Sequence, residues 1–234
     1  MTELPTTARP TTVATERSLL SVSECYRSIQ GEGLHAGQVC VFVRLAGCDL
    51  RCSYCDSAYT WDGTSPAKIY SVGDVAAAIA EFGCRLVEIT GGEPLLQPKI
   101  FPLMSFLCDG GYDVILETGG QIDARAVDHR VTRIIDLKTP GSAMDHRNFT
   151  GNMGSLRPTD EIKFVLVDRE DYDWAKGRIV DYEIAEQVSH IWLSPAHSQL
   201  KPSDLAGWMI DDNLNASLQL QVHKYLWPDS TRGV

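Results

Sequence analysis

The sequence predicts an α/β fold, a partial (β/α)6 barrel of the TIM type built on a parallel sheet. Two patterns carry that expectation. Short runs of β-branched and aromatic residues alternate with stretches whose apolar residues recur at helical spacing, and such alternation implies parallel strands joined by right-handed crossovers. The polar motifs fall where strands give way to loops, the end of a parallel barrel at which active-site groups gather. A length of 234 residues suits one domain of this kind.

Residues 1–17 are rich in Thr and Pro without apolar periodicity and read as a disordered tail, leaving 18–234 as a single domain. The first clear strand is 40–47 (CVFVRLAG). Ser71-x-x-Asp74 is a capping-box pattern, and Val72, Val75, Ala76 and Ile79 follow on one helical face. A buried strand, 86–90, leads to a helix whose apolar face is Ile100, Leu103, Met104 and Leu107, stopped by Gly110-Gly111. Further strands are expected at 113–117, 131–137, 161–167 and 190–194, with a helix around 169–185 between the last two. A helix at 201–212 and a final strand at 217–226 close the chain, and the weakly patterned connection 138–160 is placed over the barrel mouth.

The net charge of −10 (21 basic against 31 acidic residues) argues against sequence-blind nucleic-acid binding, which needs a basic footprint. No apolar run approaches a bilayer span and the N-terminus lacks a signal-peptide core, so a cytoplasmic location without membrane attachment is expected.

Three of the seven cysteines fall within eight residues, as Cys48-x3-Cys52-x2-Cys55 directly after the first clear strand. An odd count is a poor disulfide framework, and the clustering points to a metal site. Three thiolates on one short loop can each ligate one iron of a cubane cluster, which usually takes four cysteines, so one iron is left open to a chelating small molecule. Zinc is the alternative, with Cys40 or His35 as a fourth ligand, although neither gives a finger spacing. Ordinary packing is the third reading, and it is the one adopted for Cys25, Cys40, Cys84 and Cys108. Thr90-Gly91-Gly92-Glu93-Pro94 ends the next strand, where glycines admit close backbone approach and a carboxylate can pair with an ammonium group.

The Cys-x3-Cys-x-Tyr54-Cys loop and the Gly-Gly-Glu-Pro turn resemble the radical S-adenosylmethionine (SAM) superfamily. Ser28-Ile29-Gln30-Gly31-Glu32-Gly33, the 44–57 segment, Glu117-Thr118, Asp136-Leu137-Lys138, Asp160-Glu161-Ile162-Lys163 and Gln221-Val222-His223-Lys224 narrow the resemblance to the 7-carboxy-7-deazaguanine synthase family, from about Ser28 to Pro228. The resemblance implies an abridged barrel of the radical SAM type and a [4Fe–4S] cluster on Cys48, Cys52 and Cys55. SAM would bind the open iron and yield a 5′-deoxyadenosyl radical. The implied reaction converts 6-carboxy-5,6,7,8-tetrahydropterin to 7-carboxy-7-deazaguanine with loss of ammonia, on the way to queuosine or another 7-deazapurine.

By position, Tyr54, Cys55, Asp56, Gly92, Glu93, Asp136, Leu137 and Lys138 are implied SAM contacts, with the 194–197 strand end beside them. Ile29, Gln30, Gly31, Glu32, Arg44, Thr90 and His223 are implied pterin contacts, Arg44 pairing with the substrate carboxylate. Ser57 is the implied Mg2+ ligand. Glu117 and Lys163 are expected at the mouth or in a structural ion pair. A homodimer and an electron donor such as flavodoxin or ferredoxin are also implied. Two other readings stay open: a glycyl-radical-enzyme activase, and an iron–sulfur electron carrier or zinc module.

Overall fold

The computed structural model describes residues 19–61, 67–227 and 232–233, so the tail reading at 1–17 lies outside the described residues. Strands β1 (Leu19–Ile29), β2 (Val39–Leu45), β3 (Lys68–Ser71), β4 (Leu86–Gly91), β5 (Asp113–Thr118), β6 (Thr132–Asp136), β7 (Glu161–Leu166), β8 (His190–Pro195) and β9 (Ser217–Leu218) form one sheet in the order β3-β1-β2-β4-β5-β6-β7-β8-β9. Every pairing from β2 to β9 is parallel. β1 runs antiparallel to both β2 and β3, with a register shift between Val22 and Glu24. The edges β3 and β9 lie at opposite ends of this order, so the sheet is an unclosed, partial barrel as the alternation of elements predicts.

Helices α1 (Val72–Glu81), α2 (Ile100–Asp109), α3 (Arg169–Asp181), α4 (Ile184–Gln187) and α5 (Pro202–Asp211) are joined by a last helical turn, α6 (His223–Leu226). The capping box at the start of α1 is formed: Ser71 Oγ accepts from the Asp74 amide at 3.1 Å and the Asp74 carboxylate accepts from the Ser71 amide at 3.2 Å. Alternation along the strands sorts the side chains. Val41, Val43, Val87, Ile89, Val114 and Leu116 turn toward α1 and α2 to make one core, and Ile135, Ile162, Phe164 and Leu193 make a second with Tyr172, Ala175 and Leu205 of α3 and α5. The opposite face is apolar only at its base, where Tyr26, Cys40, Phe42, Leu86, Ile115 and Ile134 pack together.

Four expectations need correction. β1 and β3 are strands that the sequence did not announce, because Ser21, Ser23, Glu24 and Arg27 break the apolar rhythm of β1 and β3 is a short edge with exposed Lys68 and Ile69. The helix at 169–185 stops at Asp181, since Glu183 takes a left-handed φ of 48° before α4 begins. The strand predicted at 217–226 ends at Leu218. Beyond it the Gln219 and Gln221 side chains donate to Glu32, and the chain then turns helical at His223.

The 138–160 connection forms three 3-10 turns packed on the cysteine loop, with the Ser53 amide donating to Ser142 O at 3.1 Å. Its far end is clamped by Arg133, whose guanidinium donates to both oxygens of Asp160 and to the carbonyls of Ala124 and Ser155. Both charged side chains are fully buried. Among the described residues no helix is long and apolar enough to cross a membrane. Removing one partner of a buried, hydrogen-bonded pair strands the other charge, so Asp160→Ala is expected to lower the unfolding free energy by about 3–5 kcal/mol in chemical denaturation. A loss under about 1 kcal/mol would show the clamp to be dispensable.

Candidate active site

The polar face of the sheet opens into a cavity of about 240 Å³. Cys48, Cys52 and Cys55 all line it from the loop after β2, and β4, β5, β6 and β7 supply Thr90, Glu117, Asp136 and Lys163. The loop is pinned against the turn after β4. Gly92 N donates to Leu45 O at 2.9 Å, Glu93 N to Gly47 O at 2.8 Å, and Gly47 N to Thr60 O at 2.8 Å. This approach requires glycine: a Cβ on Gly92 would lie 2.2 Å from Gly47 O, and one on Gly91, whose φ is +129°, 2.2 Å from Leu45 N.

All but one of the implied ligand residues reach the cavity. Tyr54, Asp56, Ser57, Gly92, Glu93, Asp136 and Lys138 line its cysteine end, and Ile29, Gln30, Gly31, Glu32, Arg44, Thr90 and His223 its other walls. Leu137 does not: strand alternation between Asp136 and Lys138 turns its side chain into the second core. Of the 194–197 strand end, Ala196 and His197 line the cavity. Cys40 is buried at the base of the polar face, and neither it nor His35 lines the cavity as the zinc reading would need.

Several of these residues already have partners. Glu93 is fully buried, caps the 3-10 turn Pro94–Leu96, and accepts from the Leu95 amide, the Thr118 hydroxyl and the Gly119 amide. Lys138 donates to Asp136 at 2.7 Å and lies over the Tyr54 ring. Lys163 is held between Glu32, at 2.8 Å, and Glu117. Burial alone would lower the Lys163 pKa, but Glu117 and Glu32 outweigh it and hold the ammonium well above its usual range. Burial likewise pushes Glu117 up, and Lys163 more than offsets it. Arg44 pairs with Glu24 at 3.2 Å and donates to Tyr26 Oη and Ser57 Oγ. His223 stands on α6 rather than on a strand, with Nε2 4.0 Å from the Asp56 carboxylate, and burial lowers its pKa.

A cluster-and-SAM pair suits this arrangement. Three thiols on one loop give an all-sulfur donor set, and among the described residues the buried Tyr54 hydroxyl and Asp136 Oδ1 nearby have no hydrogen-bond partner. Burial pushes the Cys48 thiol up to about 11 and raises those of Cys52 and Cys55, so metal must displace protons on binding.

Fold and thiol-lined cavity together define a radical SAM protein, and the sequence profile of the Radical SAM superfamily matches residues 43–141. The chain is 39% identical over 228 residues to the 7-carboxy-7-deazaguanine synthase of Koribacter versatilis, covering 92% of this chain and 100% of that one. It is 42% identical over 218 residues to that of Chlorobaculum tepidum, covering 92% and 97%. The crystal structure of QueE from Escherichia coli shares the fold, with a TM-score of 0.70 at 23% identity over 87% of this chain and 94% of that one. The chain belongs to the 7-carboxy-7-deazaguanine synthase family.

Sequence reasoning missed Glu88, Tyr26 and Phe42 in the cavity wall, and Glu24 and Tyr59 around Arg44. Glu88 had a signal: like Arg44, it is a lone charge in an apolar strand. Burial pushes its carboxyl up to about 8, and Glu117 adds to the effect while a hydrogen bond from Gln30 opposes it. A carboxyl raised on folding holds a proton that the unfolded chain releases, so its contribution falls as pH rises from about 4.5 to 8. Glu88→Gln is therefore expected to gain in melting temperature relative to wild type as pH is raised through that window. A gap that stays constant with pH would place the Glu88 pKa near its ordinary value.

Proposed function

We propose that this chain converts 6-carboxy-5,6,7,8-tetrahydropterin to 7-carboxy-7-deazaguanine with loss of ammonia. The observation that carries the reading is the opening of Cys48, Cys52 and Cys55 into the same cavity as the polar strand ends and the Gln30-Gly31-Glu32 turn. Those three thiols would hold a [4Fe–4S] cluster with SAM on its open iron, and the pair supplies hydrogen-atom abstraction when bound. Tyr54, Asp56, Gly92, Asp136 and Lys138 would orient SAM at that end of the cavity. Glu93, which accepts from three donors, the Leu95 and Gly119 amides and the Thr118 hydroxyl, fixes the turn and would offer its remaining lone-pair capacity to the SAM amino group.

On the other walls Arg44 would take the substrate carboxylate, exchanging part of its pairing with Glu24. Ile29, Gln30, Gly31, Thr90 and His223 would enclose the ring, and the Glu32–Lys163–Glu117 group would hold the turn and strands in place. Gly31 fits tightly here, since a Cβ on it would come within 2.9 Å of His223 Nδ1. Ser57 would ligate Mg2+ through Oγ, with substrate oxygens and water completing an octahedral shell. Its hydroxyl donates to Asp56 at 3.0 Å and accepts from Arg44 at 3.2 Å, so an oxygen donor set exists there and the ion must compete with a guanidinium. The ion is correspondingly weakly held.

A homodimer in the cytoplasm, reduced by a flavodoxin or ferredoxin and feeding queuosine or another 7-deazapurine, completes the proposal. The relatives reported above carry the synthase name and not that of an activase.

The reading is tested by anaerobic turnover of the carboxy-tetrahydropterin by the reconstituted protein. Cys48→Ala, Cys52→Ala and Cys55→Ala are each expected to abolish SAM cleavage, with Cys84→Ala and Cys108→Ala active; a fully active Cys52→Ala would overturn the cluster assignment. Arg44→Ala is expected to weaken pterin binding by about 10- to 150-fold, the equivalent of a lost charge-assisted pair, with SAM affinity little changed. Equal pterin affinity would make Arg44 structural. Turnover against Mg2+ concentration should show stimulation of the wild type that Ser57→Ala has largely lost, and superimposable curves would remove Ser57 from the metal site.

A further inference from the structure

Most carboxylates in and around the cavity are compensated by cations. Glu24 pairs with Arg44, Glu32 and Glu117 with Lys163, Asp136 with Lys138, and Asp56 lies 3.6 Å from Lys224. Among the described residues Glu93 has no cation partner but accepts from two backbone amides and a hydroxyl. Glu88 differs from all of these. It lines the cavity, is 4% exposed, and among the described residues has no ion-pair partner and one hydrogen bond, donated by Gln30 Nε2. A buried carboxylate with so few donors is costly, and its desolvation is what pushes its carboxyl toward neutrality. Proteins seldom keep such a group without a use for it.

Its neighbours indicate the use. In register, Glu88 sits beside Phe42 of β2 on one side and Ile115 of β5 on the other. Tyr26 stacks on Phe42 with ring centroids 5.2 Å apart and an interplanar angle of 14°. Glu88 is therefore the one carboxyl in an otherwise apolar, partly aromatic stretch of the cavity wall. The next inward-facing row of the same two strands is the pair Arg44 and Thr90. Two residues along a strand is about 6.8 Å, the scale of a fused two-ring heterocycle. A ligand whose carboxylate met Arg44 would bring the far edge of its ring system to Glu88.

We propose that Glu88 determines specificity for the ring, its carboxylate accepting paired N–H donors from a 2-amino-4-oxo heterocycle, the exocyclic amine and the adjacent ring nitrogen. Gln30 orients that carboxylate through its amide and is itself braced by the Glu32 backbone N–H, which donates to Gln30 Oε1 at 3.2 Å. Two parallel N–H donors favour the ionised form and satisfy both carboxylate oxygens, so the proton that burial favours in the empty site is released as the ligand binds. A ligand without the amine would leave a buried acceptor unpaired, which is how a polar site rejects an analogue it could otherwise hold. This inference rests on the proposed pterin substrate and identifies the part of it that is read.

The test compares wild type with Glu88→Gln, which keeps shape and volume, using 6-carboxy-5,6,7,8-tetrahydropterin and its analogue lacking the 2-amino group. Binding is followed by calorimetry and turnover by product formation. Wild type is expected to prefer the aminated ligand by about 100-fold, and Glu88→Gln by less than about tenfold, the difference lying in KM more than in kcat. Iron content and SAM affinity should match wild type, and the melting temperature should be equal or higher. Undiminished discrimination in Glu88→Gln overturns the assignment, and a lowered melting temperature with discrimination intact makes Glu88 a structural partner of Gln30. If the wild type neither binds nor converts the carboxy-tetrahydropterin, the substrate reading itself fails and Glu88 falls with it. Conversion by wild type with no change in Glu88→Gln overturns Glu88 alone.

Discussion

The ammonium of Lys163 is buried between two carboxylates, Glu32 from the β1–β2 turn and Glu117 from the end of β5. Glu32 also accepts from the Gln219 and Gln221 side chains, so one charge group ties together the front turn, two central strands and the segment after β9. These elements are far apart in sequence and share little apolar surface. A buried cation cannot be left alone, so its compensation by two partly buried carboxylates fixes where the turn and the last segment must sit. The walls of the cavity follow from that placement. The Gln30 amide reaches Glu88, and His223 closes over Gly31.

Sheet alternation supplies the rest of the arrangement. One face of β2, β4, β5, β6 and β7 is spent on two apolar cores, which leaves the other free to carry Arg44, Glu88, Thr90, Glu117, Asp136 and Lys163. The base of that face is sealed by aromatic and aliphatic side chains, so most polar groups gather toward the strand ends, with Glu88 set among the sealing side chains. The cysteine loop is fastened to this end through the β4 turn and the 138–160 connection.

The central strands and the main helices were legible because their burial is one-sided or complete, and the pattern of Val87, Ile89, Leu103 and Leu107 states it directly. β1 was not legible. It is an antiparallel strand with a register shift, and its Ser and Glu residues have partners such as Tyr59 that no local pattern reveals. The alternation in 217–222 suggested a strand, but Gln219 and Gln221 are spent on Glu32, a residue nearly the whole chain away. The thiol motif and the Gly-Gly-Glu-Pro turn could be read from spacing alone, since each is built on one local segment. The inward turn of the Leu137 side chain was not legible because a tripeptide motif hides the two-residue period of the strand that carries it. Glu88 went unread because a lone Glu among aliphatic residues does not state which face it occupies.

The Gly91–Gly92 seam gives the cysteine loop and the β4 turn the character of one mechanical part. With a Cβ on Gly92 only 2.2 Å from Gly47 O, there is no clearance in which one loop could shift while the other stayed. A peptide cut from the cysteine loop alone would carry the three thiols but lose the wall that fixes their spacing. Transplanting the site into another scaffold would therefore mean moving two neighbouring parallel strand ends together, with the Leu45–Gly91 pairing that joins them.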